Sequence, residues 1–247
     1  MCSERQETIE VNIIYEDNDI IVVEKPAGVP VQTKNIVRMD LVNGLKNHLR
    51  EKNGVSDPYL GIIHRLDQPV RGILVFAVNR EAAGALSRQL NKEGFNKRYH
   101  AVVEGTVDTG GKPITLESFL VKDKDIARIS DGNDKNAKKA VLKYRSVRTD
   151  KANNMTLLDI ELITGRFHQI RAQLSGTGHP IVNDVKYGGK RTDPAVFQGY
   201  FEIPEGTGVS KMPVNERSIC LSAYSLSFIH PADGKKREYS IEEPAFY

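Results

Sequence analysis

Apolar and polar positions along this chain repeat with two different periods, and the two-residue period dominates. Residues 11–15 and 20–24 read as strands on either side of the polar turn Glu16-Asp17-Asn18-Asp19. Residues 72–78, Gly-Ile-Leu-Val-Phe-Ala-Val, form an unbroken apolar run, the pattern of a strand covered on both faces. Residues 98–104 alternate, which puts Tyr99, Ala101 and Val103 on one face. Further strands are predicted at 115–121, 140–147, 156–163, 219–229 and 238–241. Helical spacing is confined to three stretches. Within 39–49, Leu41, Leu45 and Leu49 recur every four residues and Asp40 is placed to cap them. Asn79 caps a second helix, with Ala82, Ala83, Leu86 and Leu90 inward. A third spans 164–174 and ends near Gly176, with Phe167, Ile170 and Leu174 as its apolar stripe. Many strands and few helices predict an α+β fold with a large mixed, mostly antiparallel sheet and flanking helices and loops. Residues 184–217 are rich in Gly and Pro and lack periodicity, which predicts a long loop, functional or disordered.

Composition narrows the class. A chain of 247 residues can bury a sizeable core, as one large domain or two small ones. There is no internal repeat, and no apolar run approaches the ~20 residues needed to span a bilayer. The start is polar and lacks a signal-peptide core, and Cys2 and Cys220 make neither a disulfide framework nor a zinc knuckle. These points predict a reducing, cytoplasmic setting. Net charge is only +3, yet residues 135–151 hold Lys135, Lys138, Lys139, Lys143, Arg145, Arg148 and Lys151 against the single acid Asp150. Residues 34–52 and 88–98 are basic too. Each cluster is either a phosphate footprint or a solvated face.

Two polar residues sit where the pattern does not explain them. Asp67 closes the run His64-Arg65-Leu66-Asp67 just before the buried strand, in a turn fixed by Gln68-Pro69. It is either a turn residue or a carboxylate mounted on a rigid element for chemistry. Arg171 falls inside the apolar stripe of the third helix. A guanidinium there must snorkel to water or meet a buried acid, and Asp67 is the best candidate. A bidentate pair between them would hold Asp67 ionised and oriented, as a nucleophile or base requires. Tyr99, preceded by Lys97-Arg98, suits core packing, or stacking on a base with phosphates held nearby.

Five segments in order then resemble the RluA-type pseudouridine synthase family, over roughly residues 13–244. Lys25-Pro26-Ala27-Gly28 is similar to its first motif. His64 to Asp67 with Gly72-Ile73-Leu74-Val75 is similar to the catalytic motif, and the segment from Lys97 through Tyr99 to Gly105 to the tyrosine motif. Thr164-Gly165-Arg166-Phe167-His168-Gln169-Ile170-Arg171, with Gly178 to Val182 and Asp184 to Gly188, is similar to the third. Leu221-Ser222-Ala223 with His230-Pro231 completes the series.

The resemblance implies a single catalytic domain, with a core of about 11–244 and an active-site cleft across the sheet. It implies isomerisation of uridine in RNA, without cofactor or metal. Asp67 would be catalytic, Tyr99 would stack on the flipped base, and Arg171 would orient Asp67. Arg65 would enter the space the base leaves. Ile170 would line the uracil pocket, with His64 and Lys97 as further substrate contacts. The partner would be rRNA or tRNA, with no DNA and no membrane, and the protein a monomer.

The chain departs from the family at Val70-Arg71, where Thr-Ser is frequent, at Phe167, where a small hydroxyl residue is frequent, and at Asn183, where Gly is frequent. It leaves no room for the S4-like domain of some relatives. Two other readings compete. One is a non-catalytic RNA-binding or chaperone protein with the same fold. The other is a hydrolase using His64, His168 or His179, for which neither a Gly-x-Ser-x-Gly elbow nor a His-Glu-x-x-His helix is present.

Overall fold

The apolar run that follows Asp67 becomes strand β4 (Arg71–Ala77), buried from Gly72 onward. A computed structural model describes residues 11–34, 40–90, 94–192 and 218–241, and these fall into two compact units. The first holds residues 1–95 and 227–241 among its segments, and the second 96–200 and 218–226.

In the first unit β4 pairs antiparallel with β2 (Ile20–Lys25), from Ile20 opposite Ala77 to Lys25 opposite Gly72. Strand β2 pairs in turn with β1 (Asn12–Glu16) across a bulge, and the two-residue β3 (Gly61–Ile62) meets the far end of β4. The β1–β2 turn is built by Asp17, whose Oδ1 accepts from Asp19 N and Ile20 N at 2.8 and 2.9 Å. Helix α1 (Leu41–Asn53) runs beyond the predicted Leu49, because the left-handed residue that can stop it, Gly54 at φ 68°, comes only there. Asp40 caps it as expected: Asn43 N donates to Oδ1 at 2.8 Å, and Thr33 N donates to Oδ2 at 2.7 Å. Asn79 likewise caps α2 (Arg80–Leu90), accepting from Ala82 N at 2.8 Å.

The second unit is an antiparallel set in the order β5-β9-β8-β6-β7. Its strands are β5 (Asn96–Glu104), β6 (Ile114–Asp123), β7 (Ile126–Ser130), β8 (Lys138–Asp150) and β9 (Met155–Leu162). Strands β3 and β7 were not predicted; both are short and β7 is mostly exposed, so neither carries a clear apolar signal. Strand β10 (Leu221–Ile229) has its first residues in the second unit, where Val102 N donates to Cys220 O at 2.9 Å. Its last residues lie in the first unit, where Phe228 stacks on Tyr239 of β11 (Lys236–Ser240).

The α+β class and the mostly antiparallel pairing match the sequence pattern. Three expectations change. Strand β5 is buried on both faces: His100 and Val102 are as inaccessible as Tyr99, Ala101 and Val103. The third helix, α3 (Gln169–Gly176), begins five residues later than predicted, so Phe167 precedes it and is exposed. Of the predicted loop 184–217, residues 184–192 form an ordered segment with a 3-10 turn at Val185–Tyr187; residues 193–217 lie outside the described residues, as does Met39. No helix among the described residues is long and apolar enough to cross a membrane.

Replacing Asp40 by Ala removes both the helix cap and the Thr33 bond. The expected loss is roughly 1–2 kcal/mol, read as a lower urea midpoint, with Asp40→Asn retaining most of the stability.

Candidate active site

In the first unit the candidate site is built around one buried cation. Lys25 closes β2, and its side chain is wholly inaccessible. Among the described residues no carboxylate bonds to its ammonium. Instead Nζ donates to the carbonyls of Pro26, Val29 and Gln68 at 2.9, 2.8 and 3.1 Å. Burial pushes Lys25 down, to about 7, and the negative charge of Asp67 opposes that fall. The three carbonyl dipoles also favour the charged form.

Those bonds hold the turn that carries Asp67. Gln68 O accepts from both Lys25 Nζ and Gly28 N, and Gln68 Nε2 donates back to Gly28 O at 2.8 Å. Gly28 has φ 84°, a conformation that strains any residue with a Cβ. Val70 N closes the turn onto Asp67 O at 3.0 Å. The first and second sequence motifs are thus two halves of one stapled loop. His64 braces the loop from inside: its Nε2 accepts from Val75 N at 3.3 Å and its ring packs edge-on against Phe95. Leu66 is buried, Asp67 half-buried and Arg65 exposed. The unusual Arg71 adds no open charge to the region. Its Nε donates to Glu24 Oε1 at 2.5 Å, and Asn12 takes the other carboxylate oxygen.

In the second unit the sheet divides its chemistry between two faces. Tyr99 lies opposite Ile160, and Ile160 opposite Tyr144, so Tyr99 shares a face with Tyr144, Leu142 and Ala140. Ala172 of α3 packs on that face with Ala140, Leu120 and Ala127. Lys97, two residues before Tyr99, points the same way. Its Nζ lies 3.6 Å from where a Cβ on Gly165 would be, burial lowers its pKa, and no acid among the described residues pairs with it. The opposite face holds Asp159, gripped by Arg98 and Arg145 and by the Tyr224 hydroxyl. Burial alone would raise the Asp159 carboxyl, but these donors hold it below the usual range. His100 stacks on Tyr224 at 3.8 Å there, which is why β5 is buried on both sides. Lys143 and Arg145 of the basic run face this side, and Lys139 is paired to Glu117.

Arg171 is buried, as its stripe position predicts, and within its own unit it has a two-pronged partner in Asp184. Nε and Nη2 donate to the two Asp184 oxygens at 2.7 and 2.8 Å, and neither side chain is more than 6% exposed. The guanidinium also lies over the Tyr187 ring, 4.9 Å from its centre. Tyr187 OH accepts from Ala127 N at 2.6 Å and is hydrogen-bonded to His168 Nδ1 at 2.9 Å. His179 is spent on Glu104 O. Asn183, where the resembling family has Gly, takes φ 67°, which Asn tolerates, and its Oδ1 accepts from Thr192 N. Ile170 is buried on α3.

Lys25, Asp184 and Tyr187 are the functional neighbours that sequence reasoning missed as individuals. Each lay inside a quoted motif; the available signal was a lysine closing an otherwise apolar strand, and an acid directly after Ile181-Val182-Asn183.

A fold of many antiparallel strands with few helices, an acid on a stapled turn, and a tyrosine and a buried arginine on the second unit define a class. Residues 19–176 match the RNA pseudouridylate synthase family. The chain is 33% identical over 97% of its length to an uncharacterized RNA pseudouridine synthase of Aquifex aeolicus, covering 72% of that protein. It is 33% identical to the ribosomal large subunit pseudouridine synthase D of Zymomonas mobilis, covering 96% of this chain and 70% of that one. The fold is similar to that of human RNA pseudouridylate synthase domain containing 4, with a TM-score of 0.69 at 22% identity, covering 95% of this chain and 89% of that one. The chain belongs to the RNA pseudouridylate synthase family. It is an isomerase that acts on RNA.

Two outcomes follow for the buried charges. Asp184→Ala removes the bidentate partner of Arg171 and costs roughly 3–5 kcal/mol in urea unfolding, whereas Asp184→Leu combined with Arg171→Met recovers most of that loss. Lys25 is depressed in the folded chain, so the folded state binds fewer protons than the unfolded one between its folded value of about 7 and its ordinary value of 10.5. Its contribution to stability therefore rises with pH across that window, and below it the buried ammonium costs most. Urea titrations from pH 7 to 10 are expected to show this rise in the wild type and not in Lys25→Met.

Proposed function

We propose that this chain isomerises a uridine of ribosomal RNA to pseudouridine, with Asp67 as the catalytic group. The observation that carries the reading is the stapled turn: a half-buried carboxylate held by a loop locked through Lys25, Gln68 and Gly28. The reaction breaks the bond between uracil N1 and ribose C1′, rotates the base and joins C5 to C1′; the proton on C5 leaves to solvent. An ionised, positioned carboxylate serves it either by attacking C1′ or by removing a ribose proton to form a glycal. Ribosomal RNA is preferred over tRNA because relatives such as that of Zymomonas mobilis carry the name ribosomal large subunit pseudouridine synthase D.

The remaining roles follow the motifs. Asp67, Tyr99 and Arg171 are the catalytic residues, and residues 11–244 make up one catalytic domain. Tyr99 stacks on the flipped base, Ile170 lines its pocket, and Arg171, fixed by Asp184, orients the acid. Arg65, exposed and paired with no acid among the described residues, fills the gap the base leaves. Lys97 holds a phosphate or carbonyl of the nucleotide, and His64 supports the turn and through it the substrate. The protein acts as a monomer in the cytoplasm.

Tritium release from RNA labelled at uridine C5 tests the proposal. Wild type is expected to release label from large-subunit rRNA transcripts and not from tRNA. Asp67→Asn is expected to release none, a loss of at least about a thousandfold, while binding the same RNA. Release by Asp67→Asn at the wild-type rate would refute the assignment.

A further inference from the structure

Phe167 is a large ring that the fold leaves in solvent, 37% exposed, on a loop that is otherwise tightly fixed. Thr164 N donates to Val141 O at 3.1 Å, and Val141 N donates back to Thr164 Oγ1 at 2.8 Å. The buried Gln169 side chain closes the loop. Its Oε1 accepts from Thr164 Oγ1 at 2.8 Å and Arg166 N at 3.0 Å, and its Nε2 donates to Val141 O and Gln173 Oε1. Gln173 in turn donates to Ser118 Oγ at 3.0 Å. A loop ordered to this degree to display an apolar ring is preorganised for a ligand.

The ring is also backed and charged. His168 takes φ 48°, a left-handed conformation that costs roughly 1–2 kcal/mol for a residue with a Cβ. That conformation lays the His168 ring on Phe167 at 3.8 Å and 19°, and Tyr187 OH holds it there through Nδ1. Lys122 Nζ sits 4.8 Å from the centre of the Phe167 ring. By strand register Lys122 shares the face of Leu120, and therefore of Ala140 and Tyr99. Two other cations nearby are already neutralised: Lys186 by Asp125 and Lys139 by Glu117. Lys122 and the exposed Arg166 have no acid partner among the described residues. An aromatic pair with two unneutralised cations beside it is complementary to one chemistry, a nucleobase with its phosphates.

We propose that Phe167 and His168 form a stacking platform for an unpaired RNA base other than the modified uridine, with Lys122 and Arg166 holding the adjoining phosphates. The inference rests on the reading of RNA as substrate and deepens it, assigning a second nucleotide subsite. On binding, the base takes the place of Lys122 over the ring, and the long lysine stem lets the ammonium swing to a phosphate.

The test uses the full chain and a fluorescein-labelled oligouridine about a dozen nucleotides long, followed by anisotropy. Stacking of one base predicts that Phe167→Ala raises Kd by about tenfold or more, with Phe167→Tyr near wild type. Lys122→Met is expected to weaken binding and to lower the slope of log K against log salt by about 0.7. Phe167 is exposed, so thermal unfolding of Phe167→Ala is expected to match wild type. A Kd for Phe167→Ala within about threefold of wild type would overturn the platform. A wild type that binds oligouridine through Phe167 but forms no pseudouridine would overturn the catalytic reading and leave the platform standing.

Discussion

A buried lysine held by backbone carbonyls governs how this protein presents its carboxylate. Burying an ammonium is costly, and the cost is met here by three backbone carbonyls and not by a counter-ion. The choice has a consequence for chemistry. Bonded to Asp67, Lys25 would fix that carboxylate in place and occupy its oxygens. Bonded to carbonyls, it fixes the backbone around Asp67 and leaves its own charge to act at a distance. The turn, the Lys25 to Gly28 loop and the start of β4 then form one rigid corner.

The second unit solves a different problem. A five-strand set with polar groups on both faces must satisfy each group locally. It does so by segregation: the Asp159 cluster takes up the cations of one face, while Arg171, Asp184 and Tyr187 form a compact group on the other. The Arg171 pair is close to ideal for a buried ion pair, since both carboxylate oxygens meet guanidinium N–H groups. Its value lies in geometry more than in stability, because a hydrophobic substitute would pack as well.

Much of this was legible from the residues. Strand β4 announced itself as an unbroken apolar run, and Asp40 and Asn79 were readable as caps because side-chain oxygens at those positions meet free N–H groups. Asp67 stood out because a turn acid before a buried strand has no packing reason to be there. What went unread was pairing at a distance. The stripe argument found that Arg171 is buried, but no pattern pointed to Asp184, thirteen residues on, as its bidentate partner. Phe167 was misplaced because a periodicity of three or four cannot show that a helix starts only at Gln169. That start is set by the Gln169 side chain bonding back to Thr164 and Arg166, a contact no hydropathy pattern records. That His100 and Val102 of β5 are buried as well was not readable for a similar reason, since a covering element such as Tyr224 is remote in sequence.

The anchor beneath the Phe167 loop is electrically silent. Gln169 and Gln173 are amides, which neither titrate nor attract counter-ions, and they are buried where solvent composition does not reach. The amide bonds that close the loop therefore do not respond to pH or salt, while every contact from a lysine or arginine to a phosphate fades as salt rises. Shape and charge are in this way uncoupled: the surface stays assembled under conditions in which nucleic acid has already let go.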